Sequence, residues 1–318
     1  MFKNMMVYRL VSGWTATQAQ LEEALDGARF VECGASQEKS VGWAEPRGQA
    51  HGPLVEIIGG QWLLKLMIEV KSVPGSVVKR KVQEQLQHIE ATTGRKPGKK
   101  EAREIRDDAR LALLPMAFTK QSSVLVWIDP TAGRLVLDAG SQGKADEVMT
   151  ALIKAVDGLA VQLINTQVSP AAAMASWLGT QEAPPDFSVD RECELKAADE
   201  SKAVVRYTRH ALDTDEVAQH IALGKMPTRL AMTWNERVSF VLTEALQIKK
   251  IAFLDTVFEE ASKAAGDGKD DNFDADVAIA TGELVQLIPD LLEALGGEVA
   301  LGENPAPSPV NTHAGVTG

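Results

Sequence analysis

The chain is poor in cysteine and aromatic side chains, and it has no long apolar run. Only Cys33 and Cys193 are present, too few and too far apart for a disulfide framework or a zinc knuckle. They read as reduced thiols of a cytosolic protein. No segment approaches the ~18 consecutive apolar residues that a membrane span requires. The apolar opening MFKNMMVYRLVSG is interrupted by Arg9 and lacks a small-residue cleavage site, so it reads as a strand of a soluble protein. Catalytic signatures are missing as well. There is no G-x-G-x-x-G and no G-x-S-x-G, since AGSQG around Ser141 has the wrong spacing. The five histidines, His51, His88, His210, His220 and His313, show no H-E-x-x-H spacing.

Charge, by contrast, is abundant and segregated. The net charge is −11, yet residues 65–120 hold 13 Lys/Arg against seven Asp/Glu, leaving 20 against 37 in the rest of the chain. An acidic total repels phosphate at long range, but a local cationic surface overcomes that when the carboxylates face elsewhere. The densest stretch, TGRKPGKKEAREIRDDAR, does not form a Walker A loop. Gly94 and Gly98 are three residues apart rather than four, and Lys100 stands where the magnesium-binding hydroxyl belongs. GDGKDDNFDAD imitates a calcium loop starting at Asp270, but Ala275 takes the obligatory glycine position and Thr281 that of the bidentate glutamate. It reads as an acidic loop with Asp274 or Asp276 capping a helix. No metal site and no cofactor follow.

Periodicity predicts α+β structure. Met5–Val11 reads as a strand, and Thr17–Asp26 as a helix with a Thr17/Gln20 capping box. PLVEIIGGQWLLKLMIEV is a hairpin turning at Gly59-Gly60. After Pro74-Gly75, two helices are expected over 76–91 and 101–114. Val78, Val82, Leu86 and Ile89 face inward on the first; Ile105, Ala109, Ala112 and Leu113 do so on the second. Gly94, Pro97 and Gly98 break them apart. SSVLVWID and RLVLDAG form a second hairpin, 144–156 a helix, and the Pro/Ala/Gly-rich SPAAAMASWLGTQEAPPDF a domain connection. AVVRYTRHAL then reads as a strand, and the following helix has Asp213 as N-cap, Glu216 at N3 and Gly224 as its stop. A hairpin across Asn235-Glu236, a strand over 248–254 and a long amphipathic helix ended by Gly296-Gly297 complete the pattern. This divides the chain into a sheet region over 1–72 completed by 117–168, an inserted basic helical pair over 73–116, a second α+β domain over 169–298 and a disordered tail over 299–318.

Several blocks, in order, carry a resemblance: FKNMMVYRL, GRKPGKKE followed by LLPMAF, VWID, RLAMTWNERVSFVL and FDADVAIATGELVQLIPDLLEALGGE. Together they resemble the RdgC family of recombination-associated proteins over residues 2–298. The resemblance implies an α+β fold with mixed antiparallel sheets and packed helices, each protomer forming half of a ring-shaped homodimer. It further implies a nucleoid-associated cytoplasmic protein that is not an enzyme. Such a protein passes duplex DNA through a cationic hole with little sequence preference and restrains RecA-promoted strand exchange.

On this reading the candidate phosphate contacts are Lys79, Arg80, Lys81, Arg95, Lys96, Lys99, Lys100, Arg103 and Lys120, with Arg206 and Arg209 as a second group. Phe118 matches the aromatic that the family places at the protomer contact closing the ring; otherwise it is a core residue entering the next strand. As Phe118 is the one aromatic of the basic helical segment, backbone contact with duplex fits better than base stacking. Two other readings stay open: a metal-dependent nuclease using scattered carboxylates, and a protein-interaction scaffold whose basic helices bind an acidic partner.

Overall fold

The computed structural model describes residues 2–11, 13–257 and 272–299. Its frame is an antiparallel sheet of twelve strands. They are β1 (Asn4–Leu10), β2 (Lys39–Ala44), β3 (Glu56–Ile58), β4 (Gln61–Ser72), β5 (Phe118–Asp129), β6 (Arg134–Leu137), β7 (Val161–Leu163), β8 (Phe187–Ala197), β9 (Val204–Thr208), β10 (Lys225–Trp234), β11 (Val238–Thr243) and β12 (Ile248–Phe253). The main path runs β2-β4-β5-β6-β1-β12-β11-β10-β8-β9, with β3 beside β4 and β7 beside β1.

Strand β1 joins the two halves. It pairs with β6 on one edge, and on the other with β12 at Met5↔Ile248 and with β7 at Tyr8↔Leu163. Because side chains alternate along a strand, its two faces feed different cores. Met5 lies in a cluster with Trp177, Trp234, Phe240 and Leu284, while Met6, Tyr8 and Leu10 lie in another with Leu21, Leu64, Val126 and Leu152. The first core is closed by α5 (Pro170–Thr180), α6 (Asp215–Ala222) and α7 (Asn272–Ala294). The second is closed by α1 (Gln18–Asp26) and α4 (Gln142–Ala155).

Local chemistry explains most element boundaries. Thr17 and Gln20 form the expected capping box on α1. Gly59 and Gly60 take φ of 57° and 81° in the β3–β4 turn, and Asn235 and Glu236 take 48° and 54° between β10 and β11, the left-handed pair that a tight hairpin needs. Gly42 serves a different purpose: residues 28–30 run alongside β2, and a Cβ at 42 would lie 2.5 Å from the Phe30 Cα.

Several expectations need correction. The stretch read as a connection contains helix α5, whose Ala173, Met174, Trp177 and Leu178 are buried. Its Pro170 is an N-terminal helix residue behind a Ser169 cap, which is where proline is favourable rather than disruptive. The N-cap of α6 is Thr214, not Asp213. Asp274 lies inside the first turn of α7, and its carboxylate pairs with Arg47 instead of capping. Strands β2, β7 and β8 were not anticipated. Residues 300–318 and most of the acidic loop preceding α7 lie outside the described residues.

Candidate nucleic-acid interface

The basic segment forms a helical arm. Strands β4 and β5 pair from Trp62↔Ile128 to Ser72↔Phe118. At the open end of that hairpin the chain runs through α2 (Gly75–Thr93), α3 (Lys99–Leu113) and a 3-10 turn at Leu114–Met116. Nineteen residues give α2 a length of about 28 Å. It packs on α3 around Gln85, Ile89 and Ile105, leaving a cleft of about 380 Å³. No residue of α2 is fully buried, and in α3 only Ala109 is. The expected inward position Ala112 is exposed, because the arm has a partner on one side only. A contact of 2.7 Å from Arg110 to Glu38 ties α3 to the loop ahead of β2.

The arm departs from the charge preferences of an ordinary helix pair. Cations at a helix N-terminus oppose the macrodipole, yet Lys99 and Lys100 occupy the first turn of α3. Neither Pro74 ahead of α2 nor Gly98 ahead of α3 caps with a side chain, so the first N–H groups of both helices are open to an anion. Lysines that cost helix stability at such a place point to a ligand rather than to the fold.

The candidate cations differ in how free they are. Arg95 is held bidentately by Glu101 at 2.7 and 3.0 Å. That hydrogen bonding raises the Arg95 pKa and lowers that of Glu101. Lys96 stands 3.6 Å from Glu90 with its side chain 80% exposed. Lys79, Arg80, Lys81, Lys99, Lys100, Arg103 and Lys120 are exposed and make no ion pair among the described residues.

These residues do not form one cluster. Lys79, Arg80 and Lys81 lie near the arm's root, as does Lys120 on β5, opposite Val70. Arg95, Lys96, Lys99, Lys100 and Arg103 gather at its tip, about 20 Å away along α2. Arg206 on β9 and Arg209 just beyond it sit at the far edge of the sheet. Seven strand steps separate β9 from β5, about 34 Å along a flat sheet. Arg206 is paired with Glu194 at 2.5 Å, while Arg209 is exposed with φ of 56°.

Phe118 is not a core residue. It is 90% exposed, and Met116 and Leu111, also in the arm's root, are 75% and 51% exposed. Sequence reasoning missed the last two; the signal available was an apolar run, LALLPMAF, longer than one buried helix stripe uses. Elsewhere the chemistry is quiet. Among the described residues no three His, Cys, Asp or Glu side chains gather as a metal group. His210 and His220 flank Tyr207, and His220 Nδ1 lies 3.0 Å from Lys225 Nζ. Burial pushes the Cys193 thiol up to about 12, where it is inert as a nucleophile at neutral pH. No described helix is long and apolar enough to cross a membrane.

Fold and surface together define an α+β protein: an antiparallel sheet with helices on its faces, bearing a projecting cationic helical arm. The chain belongs to the RdgC family. A family model described as "Putative exonuclease, RdgC" matches residues 1–298. Curated relatives called "Recombination-associated protein RdgC" match nearly end to end. The Dechloromonas aromatica protein is 46% identical over 94% of this chain and 98% of its own length. The Herminiimonas arsenicoxydans protein is 45% identical over 94% and 99%, and that of Bordetella pertussis 44% over 93% and 98%.

Proposed function

We propose that this chain is a sequence-independent duplex-DNA-binding protein that works as a ring-shaped homodimer on the nucleoid and restrains RecA-promoted recombination. The observation carrying the reading is the arm: six of the candidate cations on α2 and α3, with Lys120 at its root, are exposed and without an ion-pair partner among the described residues, on a chain whose net charge is −11. Each phosphate they neutralise releases counterions, a driving force indifferent to base sequence. The exposed Phe118, Met116 and Leu111 supply an apolar patch at the arm's root that fits a second copy of the chain. The relatives' shared name, recombination-associated protein, supports the process. Duplex covered by an encircling protein is a poor partner for strand pairing, so the restraint is passive and needs no cofactor.

The family model's description favours a second reading, an exonuclease. One experiment separates the two. Linear duplex is incubated with the purified protein and Mg²⁺ or Mn²⁺, and both retention and length are followed. Retention with intact ends supports the binding reading. Shortening that is lost with a carboxylate substitution supports the nuclease.

A further inference from the structure

Strand β1 sets two like charges against each other near its C-terminal end. Its Arg9 stands directly across from Arg134 of β6, and Arg134 stands directly across from Asp129 of β5. Cross-strand partners share a face of the sheet, so the three side chains form one row, and like charges placed opposite each other destabilise it. Arg9 is compensated. Its Nε donates to Glu298 Oε1 at 3.0 Å, its Nη2 to the other Glu298 oxygen, and its Nη1 to the Ala132 carbonyl at 2.6 Å. The chain end after α7 delivers Glu298 by running antiparallel to residues 165–168. There Val299 N–H donates to Asn165 O at 2.9 Å and Gln167 N–H to Gly297 O at 3.0 Å.

Arg134 is not compensated. Its side chain makes no hydrogen bond and no ion pair among the described residues, and its Nε is buried without an acceptor. Asp129 does not supply one. That carboxylate is 3% exposed, and one of its oxygens accepts from the Thr131 and Ala132 N–H groups at 3.0 and 2.9 Å, which fixes the β5–β6 turn. Burial and the Arg9 charge push the Arg134 pKa down, against the pull of Glu298 and Asp129. A guanidinium keeps its charge at neutral pH all the same. Leaving a charged donor buried and unpaired is costly, and local rules broken in this way mark a site rather than the fold. Arg9 and Arg134 are both partly open to solvent, so an ion can reach them.

We infer that Arg134, with Arg9 beside it, is a binding site for a small free phosphate-type anion, and that Glu298 borders the site and competes for Arg9. The inference stands apart from the duplex-binding reading above. A phosphate presents several oxygens to two guanidinium forks at once. It satisfies the Arg134 donors and screens the two arginines from each other. The Ala132 turn and the 297–299 segment wall the site, and the Arg134 Nε is buried. Such a recess suits an anion that is free to enter it, rather than a phosphate fixed on the outside of a duplex. Arg9 lies on the strand that joins the two halves of the sheet, and Glu298 follows the glycine pair that ends α7. An anion bound here therefore bears on how the chain end is held to the central strand.

The test is thermal unfolding of the full chain titrated with inorganic phosphate, against chloride at matched ionic strength. An anion that binds the folded chain raises its melting temperature, by about 2–4 °C at roughly tenfold above the dissociation constant. Arg134→Gln is expected to abolish that rise while its melting temperature in chloride stays equal or increases, because the repulsion with Arg9 is gone. Glu298→Gln removes the competitor and is expected to lower the half-saturating phosphate roughly threefold, the scale of one exposed ion pair. A phosphate response of Arg134→Gln equal to the parent's overturns the inference, as does a parent that does not respond or a Glu298→Gln half-saturation no lower than the parent's. Where Arg134→Gln misfolds, Arg134→Lys keeps the charge without the fork, and a half-saturation equal to the parent's then overturns it. Duplex separates the two sources of phosphate. Its log–log salt slope is expected to be the same for Arg134→Gln and the parent; a slope flattened by about 0.9 assigns Arg134 to a backbone phosphate and overturns the free-anion site.

Discussion

Replacing Lys96, Lys99 and Lys100 together by alanine separates a DNA surface from a structural one at the arm's tip. All three are exposed, and the one ion pair among them, Lys96 with Glu90, spans 3.6 Å with both side chains largely in solvent. Its loss costs about 0.5 kcal/mol or less. Lys99 and Lys100 oppose the α3 dipole from its first turn, so removing them returns about 0.3–1 kcal/mol. Thermal stability is therefore expected to hold or rise slightly. Affinity behaves differently. Three phosphate contacts carry about −2.7 of log–log slope, so a fourfold rise in salt weakens the unsubstituted protein about 40-fold more than the variant. Anisotropy titrations on two unrelated duplex sequences at 50 and 200 mM salt read this directly. An unchanged slope with unchanged stability would refute the argument and leave the second group, Arg206 and Arg209, as the candidate.

Other outcomes follow from the same coordinates. Phe118→Ser removes a side chain that a second copy would bury, so self-association measured by sedimentation on dilution should weaken about 10- to 100-fold per contact; an unaltered dissociation constant removes Phe118 from the interface. Burial holds the Cys193 thiol at about 12, whereas the unfolded thiol ionises near ~8.5. The unfolded chain thus loses this proton first, and its contribution to stability is intact below pH ~8.5 and falls by about 2 kcal/mol at pH 10. Urea midpoints of Cys193→Ala should lack that component, and identical pH profiles would contradict the assignment. Gly42→Ala puts a methyl 2.5–2.7 Å from the backbone of Arg29 and Phe30, an overpacking worth about 3 kcal/mol; a melting temperature within 2 °C of the parent, on the order of experimental scatter, would show that segment free to move.

Where structure follows from neighbours in sequence, it was legible. The Thr17 capping box, the Gly59-Gly60 and Asn235-Glu236 turns and the Gly296-Gly297 stop all announce themselves because a few adjacent residues decide the backbone. Helix α5 was hidden because Pro170 and three alanines look like linker composition, although Ser169-Pro170 is also a helix start. Strand β8 was hidden by its bulge. Phe187, Val189, Cys193 and Leu195 face one core at alternate positions, but the two extra residues of the bulge between Val189 and Cys193 leave charged, exposed Arg191 where the alternation calls for an apolar side chain. The arm's cationic character was visible as local charge density. Which cations are already spoken for was not, since Arg206 meets Glu194 only through strand pairing. The row Arg9, Arg134, Asp129 crosses three strands, and no local pattern records it.

The most direct measurement is anisotropy of a random-sequence duplex titrated with the unsubstituted protein over a salt series, with duplex length checked after incubation with Mg²⁺. The account predicts tight binding at low salt, a steep slope shared by unrelated sequences and DNA of unaltered length. Absence of binding at low salt, or an affinity indifferent to salt, would contradict it and assign the cationic arm to another partner.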